Sequence, residues 1–184
     1  MAAVLIPLAQ GCEELEAVTV IDLLRRAGIE VVTAGLDNHP VRASRGVVLI
    51  PDTCLDEALK RDYDMVVLPG GAQGADHLNR DPRVHALLVK MAANGKFTAA
   101  ICAAPKVLGS AGLLTGKRAT GYPGILGAMN LQDVTVTGDA LVQDGKVITS
   151  RGPGTAMDFA LTLIEALAGT HKRDEVESQL VRDP

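Results

Sequence analysis

Short apolar runs rich in β-branched residues alternate along this chain with segments whose apolar positions follow a helical spacing. The apolar runs predict strands over residues 3–9, 29–34, 64–68, 97–101, 134–137 and 147–149, and a hairpin over residues 41–50. The helical spacing predicts helices over residues 13–27, 82–94, 155–167 and 172–180. Because strands that alternate with helices are typical of βαβ units, the pattern predicts an α/β fold with a mainly parallel sheet.

Cys102 stands where a strand-like run ends and a helix-like run begins. Ala100 and Ala104, two positions to either side, are small, as a nucleophile elbow requires because its sharp turn leaves no room for bulk. The N–H groups of a helix start favour an anion, so this position predicts a reactive thiol with a lowered pKa. The alternative is a buried core cysteine, since free cysteine is among the most buried residue types.

A glycine-rich turn over residues 68–75 follows the predicted strand at residues 64–68. Its backbone N–H groups could form an oxyanion hole opposite the thiol, in which the N–H of Gly71 is joined by that of Ala103. The spacing is not that of a dinucleotide-binding fingerprint, so no nicotinamide cofactor is expected. The alternative is that Gly70 and Gly71 simply supply the backbone freedom of a tight turn.

Glu16 lies between Leu15 and the apolar pair Ala17 and Val18, so its side chain could point inward. A carboxyl group buried beside a thiolate is driven towards its protonated form and could donate a hydrogen bond to sulfur. A solvated surface glutamate is the alternative. None of the four histidines is adjacent to Cys102 in the sequence, and His77 is predicted to lie in a polar loop, so no Cys–His dyad is evident.

Composition limits the classes of function. The 184 residues are most simply one domain over residues 1–184, with net charge −4 and 2% aromatic residues, so a nucleic-acid partner is unlikely. No apolar run has the length of a membrane span, and no signal peptide is evident. The wide spacing of Cys12, Cys54 and Cys102 favours neither disulfides nor a metal site and fits a reducing cytoplasm. Cys12 could serve as a resolving thiol for Cys102, although structural roles are expected for Cys12 and Cys54.

Five segments, taken together, resemble the ThiJ/PfpI family. These segments are residues 11–17, 22–29, 67–71, 99–105 and 149–155, and within the family they are most similar to the YajL-type branch, which includes the Parkinsonism-associated protein deglycase. The resemblance implies a flavodoxin-like α/β/α sandwich that forms a homodimer and needs no cofactor. It also implies that Cys102 is a nucleophilic, oxidation-sensitive thiol with Glu16 as its protonated partner.

The resemblance assigns further residues and shows two departures. It implies that Gly71 and Ala103 are backbone donors and that Arg45 lies near the site at the dimer interface. Relatives that are proteases carry a histidine where this chain has Ala103, so proteolysis is not expected. Relatives in the animal deglycase branch carry a pocket histidine where this chain has Tyr122, and a phenol does not replace imidazole as a base near neutral pH.

Two functions follow as expectations. In the first, the protein is a stress-response enzyme of the glyoxalase III or deglycase type, in which the Cys102 thiolate attacks small reactive dicarbonyls or early glycation adducts on amines while Glu16 moves protons. In the second, it is an oxidative-stress sensor or redox-regulated chaperone. Cys102 is then oxidised to a sulfinate held by Glu16 and Arg45, without turnover.

Overall fold

A computed structural model describes residues 1–182 of the chain as an α/β structure. Its strands are β1 (Ala3–Leu8), β2 (Glu30–Gly35), β3 (Val41–Arg42), β4 (Val48–Leu49), β5 (Thr53–Cys54), β6 (Met65–Leu68), β7 (Phe97–Ile101), β8 (Lys117–Ala119), β9 (Val134–Val136), β10 (Leu141–Asp144) and β11 (Val147–Ser150). Its α-helices are α1 (Glu14–Arg26), α2 (Leu55–Ala58), α3 (Ala72–Arg80), α4 (Pro82–Ala93), α5 (Pro105–Ser110), α6 (Ala156–Ala168) and α7 (Thr170–Gln179). Short 3₁₀ turns cover Gly127–Met129 and Pro153–Thr155.

A seven-stranded sheet in the order β10-β11-β7-β6-β1-β2-β5 forms the centre of the fold. All its neighbouring pairs are parallel except β10 with β11. Every residue of β1 and β6 is buried, as expected for parallel strands that helices cover on both faces. Helix α1 packs against α6 and α6 against α7, while α3 packs against α4 and α5. This arrangement confirms the predicted flavodoxin-like α/β/α sandwich.

The strand order reverses direction between β1 and β6. The chain passes from β1 outward to β2 and β5, then returns to the other side of β1 for β6 and β7. Open parallel sheets bind ligands at the carboxyl ends of their strands at such a switch point. The segments that follow β1, β6 and β7 meet there, and they carry Glu16, Gly71 and Cys102 respectively.

The predicted strands and helices are all present, and their ends differ by at most two residues. The strands and helices absent from the prediction are β5, β8, β10, α2 and α3, which are short or polar. Helix α3 has only three buried residues among nine and is polar over most of its length. The prediction that His77 lies in a polar loop is wrong, because this residue belongs to α3. Across residues 1–182, every helix is too short or too polar to span a bilayer.

Candidate active site

Cys102 occupies a strained turn directly after β7. Its φ is +64°, a left-handed conformation that side chains other than glycine rarely adopt. The turn is held by hydrogen bonds from the N–H of Cys102 to the carbonyl of Ser150 (3.0 Å) and from the N–H of Ala104 to the carbonyl of Ile101 (3.0 Å). Ala100 and Ala104 are fully buried, so larger side chains would not fit at either position. This is the geometry of a nucleophile elbow.

Glu16 reaches the thiol from the first turn of α1. Helix α1 buries Glu16 and Ala17 together with Val20, Leu23 and Leu24, so the glutamate belongs to the inward stripe of an otherwise apolar face. Its carboxyl group accepts a hydrogen bond from the N–H of Gly70 (2.8 Å, to Oε2) and is hydrogen-bonded to the Cys102 thiol. Of the two alternatives for this residue, the inward carboxyl is the one the fold produces.

Gly70 and Gly71 permit this close approach for two different reasons. A Cβ atom on Gly70 would lie 2.6 Å from Oε2 of Glu16 and 2.7 Å from Cβ of Cys102. A Cβ on Gly71, whose φ is +84°, would collide with the carbonyl oxygen of Gly11. Any side chain at position 70 would therefore separate the glutamate from the cysteine, and any side chain at position 71 would displace the loop after β1.

Two backbone N–H groups point at the sulfur of Cys102. They belong to Gly71 and Ala103, and each donates a hydrogen bond that favours the thiolate. Donors fixed by the backbone need no reorganisation when negative charge develops beside them, which is the requirement of an oxyanion hole.

The pKa values of the pair are both raised, and burial is the main cause for each. Desolvation raises the pKa of Glu16 to about 7, against a smaller opposing effect of its hydrogen bonds with Gly70 and Cys102. Burial, followed by the charge of an ionised Glu16, raises the pKa of the Cys102 thiol to about 12. The expectation of a lowered thiol pKa is therefore wrong while Glu16 is ionised, because the two N–H donors do not offset these effects.

The second oxygen of Glu16 indicates where a shared proton can reside. Oε1 is buried and has no hydrogen-bond partner in the described part of the chain, while the carboxyl group as a whole interacts with the Cys102 thiol. An ionised carboxylate would keep this oxygen buried without a hydrogen-bond donor unless the thiol supplies one. A protonated carboxyl would satisfy it by donating to a thiolate. The two groups thus titrate as a pair that shares one proton after the first is lost.

The other residues singled out from the sequence take different positions. Tyr122 is about half exposed, and it touches the elbow through its backbone, where its N–H donates to the carbonyl of Cys102 (2.7 Å). Arg45 lies in the exposed turn between β3 and β4, and its N–H donates to the carboxylate of Glu14 (2.8 Å). Within residues 1–182 its guanidinium group makes no hydrogen bond or ion pair, so this chain by itself does not bring that charge to Cys102.

Histidines and the remaining cysteines contribute little near the thiol. His77 and His85 bond to the carbonyls of Gln10 and Asn79 (2.8 Å each), and His39 faces Asp37. Cys12 is buried in the core, where desolvation raises the pKa of its thiol to about 12, which does not favour a resolving role. All three cysteines are free. In the part of the chain that the structure describes, no group of three or more histidine, cysteine, aspartate or glutamate side chains could hold a metal ion.

Two contacts of the elbow were not anticipated from the sequence. The carbonyl of Ser150 and the N–H of Tyr122 hold the backbone of Cys102 from strand β11 and from the segment after β8. Ser150 is itself buried, and its hydroxyl group bonds to Ala140 and Thr155. The segment 149–155 contributed to the family resemblance, but only the sheet order places it beside β7.

Comparisons with known proteins find relatives that match this chain over nearly its whole length. The chain is 43% identical over 178 residues to Protein dj-1beta of Drosophila melanogaster, covering 96% of this chain and 95% of the relative. It is 33% identical to the Glutathione-independent glyoxalase DJR-1.2 of Caenorhabditis elegans over 95% of this chain and 92% of that protein. It is 42% identical to Protein DJ-1 homolog A of Arabidopsis thaliana, where it covers 98% of this chain and spans about half (47%) of the relative's length.

Solved structures give the same result. The crystal structure of Drosophila melanogaster DJ-1beta matches with a TM-score of 0.94 at 42% identity, over 100% of this chain and 99% of the other. Oxidised Toxoplasma gondii DJ-1 matches with a TM-score of 0.94 at 37% identity over 100% of both chains. The model of the DJ-1/PfpI family matches residues 2–166, which include every residue of the elbow and the glutamate that faces it. This chain therefore belongs to the DJ-1/PfpI family, as its resemblance to the ThiJ/PfpI sequences indicated.

Proposed function

We propose that this protein is a cysteine-dependent enzyme that converts small reactive dicarbonyls, such as methylglyoxal and glyoxal, to hydroxycarboxylates without metal or glutathione. The observation that carries the proposal is the buried Glu16 carboxyl, hydrogen-bonded to a Cys102 thiol that also accepts two backbone N–H bonds. A relative 33% identical to this chain is named a glutathione-independent glyoxalase, which agrees with this class of substrate.

The reactive form is the pair in which Glu16 holds the shared proton and Cys102 is the thiolate. In this form the charge of Glu16 no longer raises the pKa of the thiol, and the carboxylic acid donates its hydrogen bond to sulfur instead. The N–H groups of Gly71 and Ala103 stabilise the same thiolate. The pair loses its first proton near the raised pKa of Glu16, about 7, so kcat/KM is expected to increase as the pH rises through that value.

The proposed reaction begins with attack of the thiolate on the aldehyde carbon. A C–S bond forms, the carbonyl π bond breaks, and Glu16 gives its proton to the oxygen, which yields a hemithioacetal. The Glu16 carboxylate then removes the proton from the former aldehyde carbon and returns it to the adjacent ketone carbon, while the hydroxyl hydrogen on the first carbon moves to the oxygen of the second. The first carbon is thereby oxidised to a thioester and the second is reduced to an alcohol. Water hydrolyses the resulting thioester to lactate and restores the thiol, for a net addition of one water to methylglyoxal.

Steady-state turnover of methylglyoxal, followed as lactate release, tests the proposal. The reduced protein is compared with Cys102→Ser and Glu16→Gln, the second of which keeps the size of the side chain but carries no acidic proton. Many lactates per subunit from the parent protein, and loss of turnover in both variants, support the enzyme. Consumption of methylglyoxal without lactate, or of no more than one equivalent per thiol, contradicts it. The same assay on glycated amines, corrected for free dicarbonyl, tests the deglycase reaction.

A second candidate function is an oxidative-stress sensor in which Cys102 is oxidised without turnover. The match to an oxidised DJ-1 structure favours it, and so does the site, because a protonated Glu16 and two N–H donors could hold the oxygens of a sulfinate. If methylglyoxal is only consumed stoichiometrically, peroxide titration of Cys102 becomes the deciding measurement.

The proposed functional unit is a homodimer. Helix α1 and the β3–β4 hairpin expose a set of large apolar side chains, namely Leu15, Val18, Val47, Val48 and Ile50. An apolar group of this kind, next to the exposed Arg45, is typical of a protein–protein interface. Sedimentation of the parent protein against Val48→Glu tests this part, since a monomeric parent would contradict it.

A further inference from the structure

A cleft of about 360 Å³ opens at the carboxyl ends of β1 and β2, between them and the junction of α3 with α4. Its walls include Leu8 and Leu36 from the strand ends, and His77 and Arg80 from α3. Neither Cys102 nor Glu16 lines this cleft, so it is separate from the candidate active site.

Arg80 and His77 present complementary polar groups to this space. They are three residues apart on α3, so their side chains share one face of the helix. Within residues 1–182, the Arg80 guanidinium makes no hydrogen bond or ion pair. His77 Nδ1 lies 2.8 Å from the carbonyl oxygen of Gln10, which can only accept, so Nδ1 carries the hydrogen. In the neutral ring this leaves Nε2 as a hydrogen-bond acceptor.

Two acids also line the cleft, and one of them is already paired with an arginine. The Asp81 carboxylate pairs with Arg83 (2.5 Å) and accepts the backbone N–H of the same residue (2.9 Å). Asp37 faces His39 (3.3 Å) and accepts its backbone N–H (2.9 Å). Arg80 is the arginine in this cleft that forms no ion pair within 4 Å in the described structure, although its charge acts on the carboxylate of Asp76 on the same helix.

We propose that this cleft binds a small hydroxycarboxylate. The planar guanidinium of Arg80 pairs with the ligand's carboxylate, a geometry in which two parallel N–H···O bonds form. Nε2 of His77 accepts the ligand's hydroxyl hydrogen, and Leu8 and Leu36 pack against its carbon chain. The inference rests on this cleft alone and does not depend on turnover at Cys102.

Titration of the ¹⁵N-labelled protein with lactate, followed by amide chemical shifts, tests the proposal. Saturable shifts are expected at Gln10, Leu36, His77 and Arg80, with weaker binding of propionate, which has the same carbon count but lacks the hydroxyl group. Three results would each overturn it: equal affinity for the two acids, shifts confined to Gly71 and Ala103 of the active site, or no saturable shift at the four cleft residues.

Substitutions locate the contacts. Arg80→Gln is expected to fold, because the side chain is exposed and bonds to nothing in the described chain, and to weaken lactate binding roughly tenfold or more, as for loss of a charged hydrogen bond. His77→Phe is expected to remove the preference for lactate over propionate. Arg118→Gln, which makes the same charge change on β8, serves as the control. An Arg80→Gln protein that binds lactate as tightly as the Arg118→Gln protein would overturn the proposal.

Discussion

Cys12 and Cys102 both lie at the carboxyl edge of the central sheet, but different groups surround their sulfur atoms. Cys12, in the loop after β1, and Cys102, in the elbow after β7, are both buried, and burial raises the pKa of each thiol to about 12. Cys102 has two N–H donors and a carboxyl that can hold a proton for it. Cys12 has the repulsive charges of Glu14 and Glu13. The thiol pKa alone therefore does not identify the nucleophile, whereas the partner that can keep the proton does.

Alkylation by iodoacetamide gives the largest expected difference between the two thiols. Cys102 is expected to react in the folded protein, because thiolate forms there when Glu16 is protonated. Cys12 is enclosed by the core and is expected to react only when the chain unfolds, which makes it slower by about 10³-fold or more for a protein of ordinary stability. Peptide mass spectrometry measures both rates in one sample. Comparable rates at the two sites would contradict the distinction, and Cys102→Ser checks that the fast site is correctly assigned.

Gly71 contacts both the loop after β1, which carries Cys12, and the elbow that carries Cys102. Its substitution is expected to have the next largest effect, on the stability of the fold. Its N–H donates to the Cys102 sulfur, while a Cβ at this position would collide with Gly11 and lie 2.7 Å from the backbone nitrogen of Glu13. Gly71→Ala is expected to lower the free energy of unfolding by about 3 kcal/mol or more, since strain at positive φ adds to a backbone clash.

Gly95→Ala is the matched control for this substitution. Gly95 also has positive φ, +64°, but a Cβ there would meet nothing within 4 Å. Only the conformational cost remains, so a loss of about 1 kcal/mol is expected in urea unfolding. Equal losses in the two variants would mean that the contact between the loop and the elbow does not constrain either region.

Much of this arrangement follows from local sequence. The apolar run, the cysteine and the small flanking residues Ala100 and Ala104 suffice to predict the elbow, because its steric requirement is local. Helix α3 was not predicted, because it is short, mostly polar and begins directly after the glycine-rich turn. The inward direction of Glu16 remained one of two alternatives, since only the packing of α1 on the sheet decides it.

The direction of the thiol pKa could not be obtained from sequence either. The N–H donor of Ala103 is a local feature that by itself favours a lowered pKa, whereas the donor of Gly71 comes from the loop after β6 and depends on the fold. Desolvation is a property of the assembled sheet, in which β1, β6 and β7 bring a fully buried Glu16 next to a Cys102 that is only 8% exposed. The elbow was predictable, while its electrostatics depend on the tertiary structure.

Glu16 and Glu14 are expected to give the protein opposite pH dependences of stability. The pKa of Glu16 is about 7 in the folded protein against an ordinary value of 4.5. At a pH between these two values, the folded protein therefore holds a proton on Glu16 that the unfolded chain has lost. Its contribution to stability is complete below the lower value and decreases as the pH rises through the window, by about 3 kcal/mol. Urea unfolding between about pH 5 and about pH 7.5 should show this decrease in the parent protein and not in Glu16→Gln.

Glu14→Gln is the control for that measurement. Desolvation acts to raise the pKa of Glu14, but hydrogen bonds from Ser44 and from backbone N–H groups outweigh it, so its pKa is lowered. Its contribution is present above the ordinary glutamate value and is lost as the pH falls, which is the opposite sign to Glu16. A Glu16→Gln protein with the same pH dependence as the parent would show that this carboxyl is not protonated in the folded state.

The smallest predicted effect tests the backbone of the two regions and has opposite signs at the two cysteines. Cys102 has φ of +64°, whereas Cys12 is not among the positive-φ residues. Glycine tolerates a left-handed conformation that costs other residues about 1 kcal/mol, so Cys102→Gly should be more stable than Cys102→Ala by about that amount. At position 12 glycine only adds conformational entropy to the unfolded chain, so Cys12→Ala should be more stable than Cys12→Gly by about 1 kcal/mol. Urea unfolding of the four variants measures both differences with the sulfur removed throughout. If glycine and alanine rank in the same order at both positions, the strain assigned to the elbow is absent, and the exposure of the Cys102 sulfur to substrate must come from side-chain packing instead.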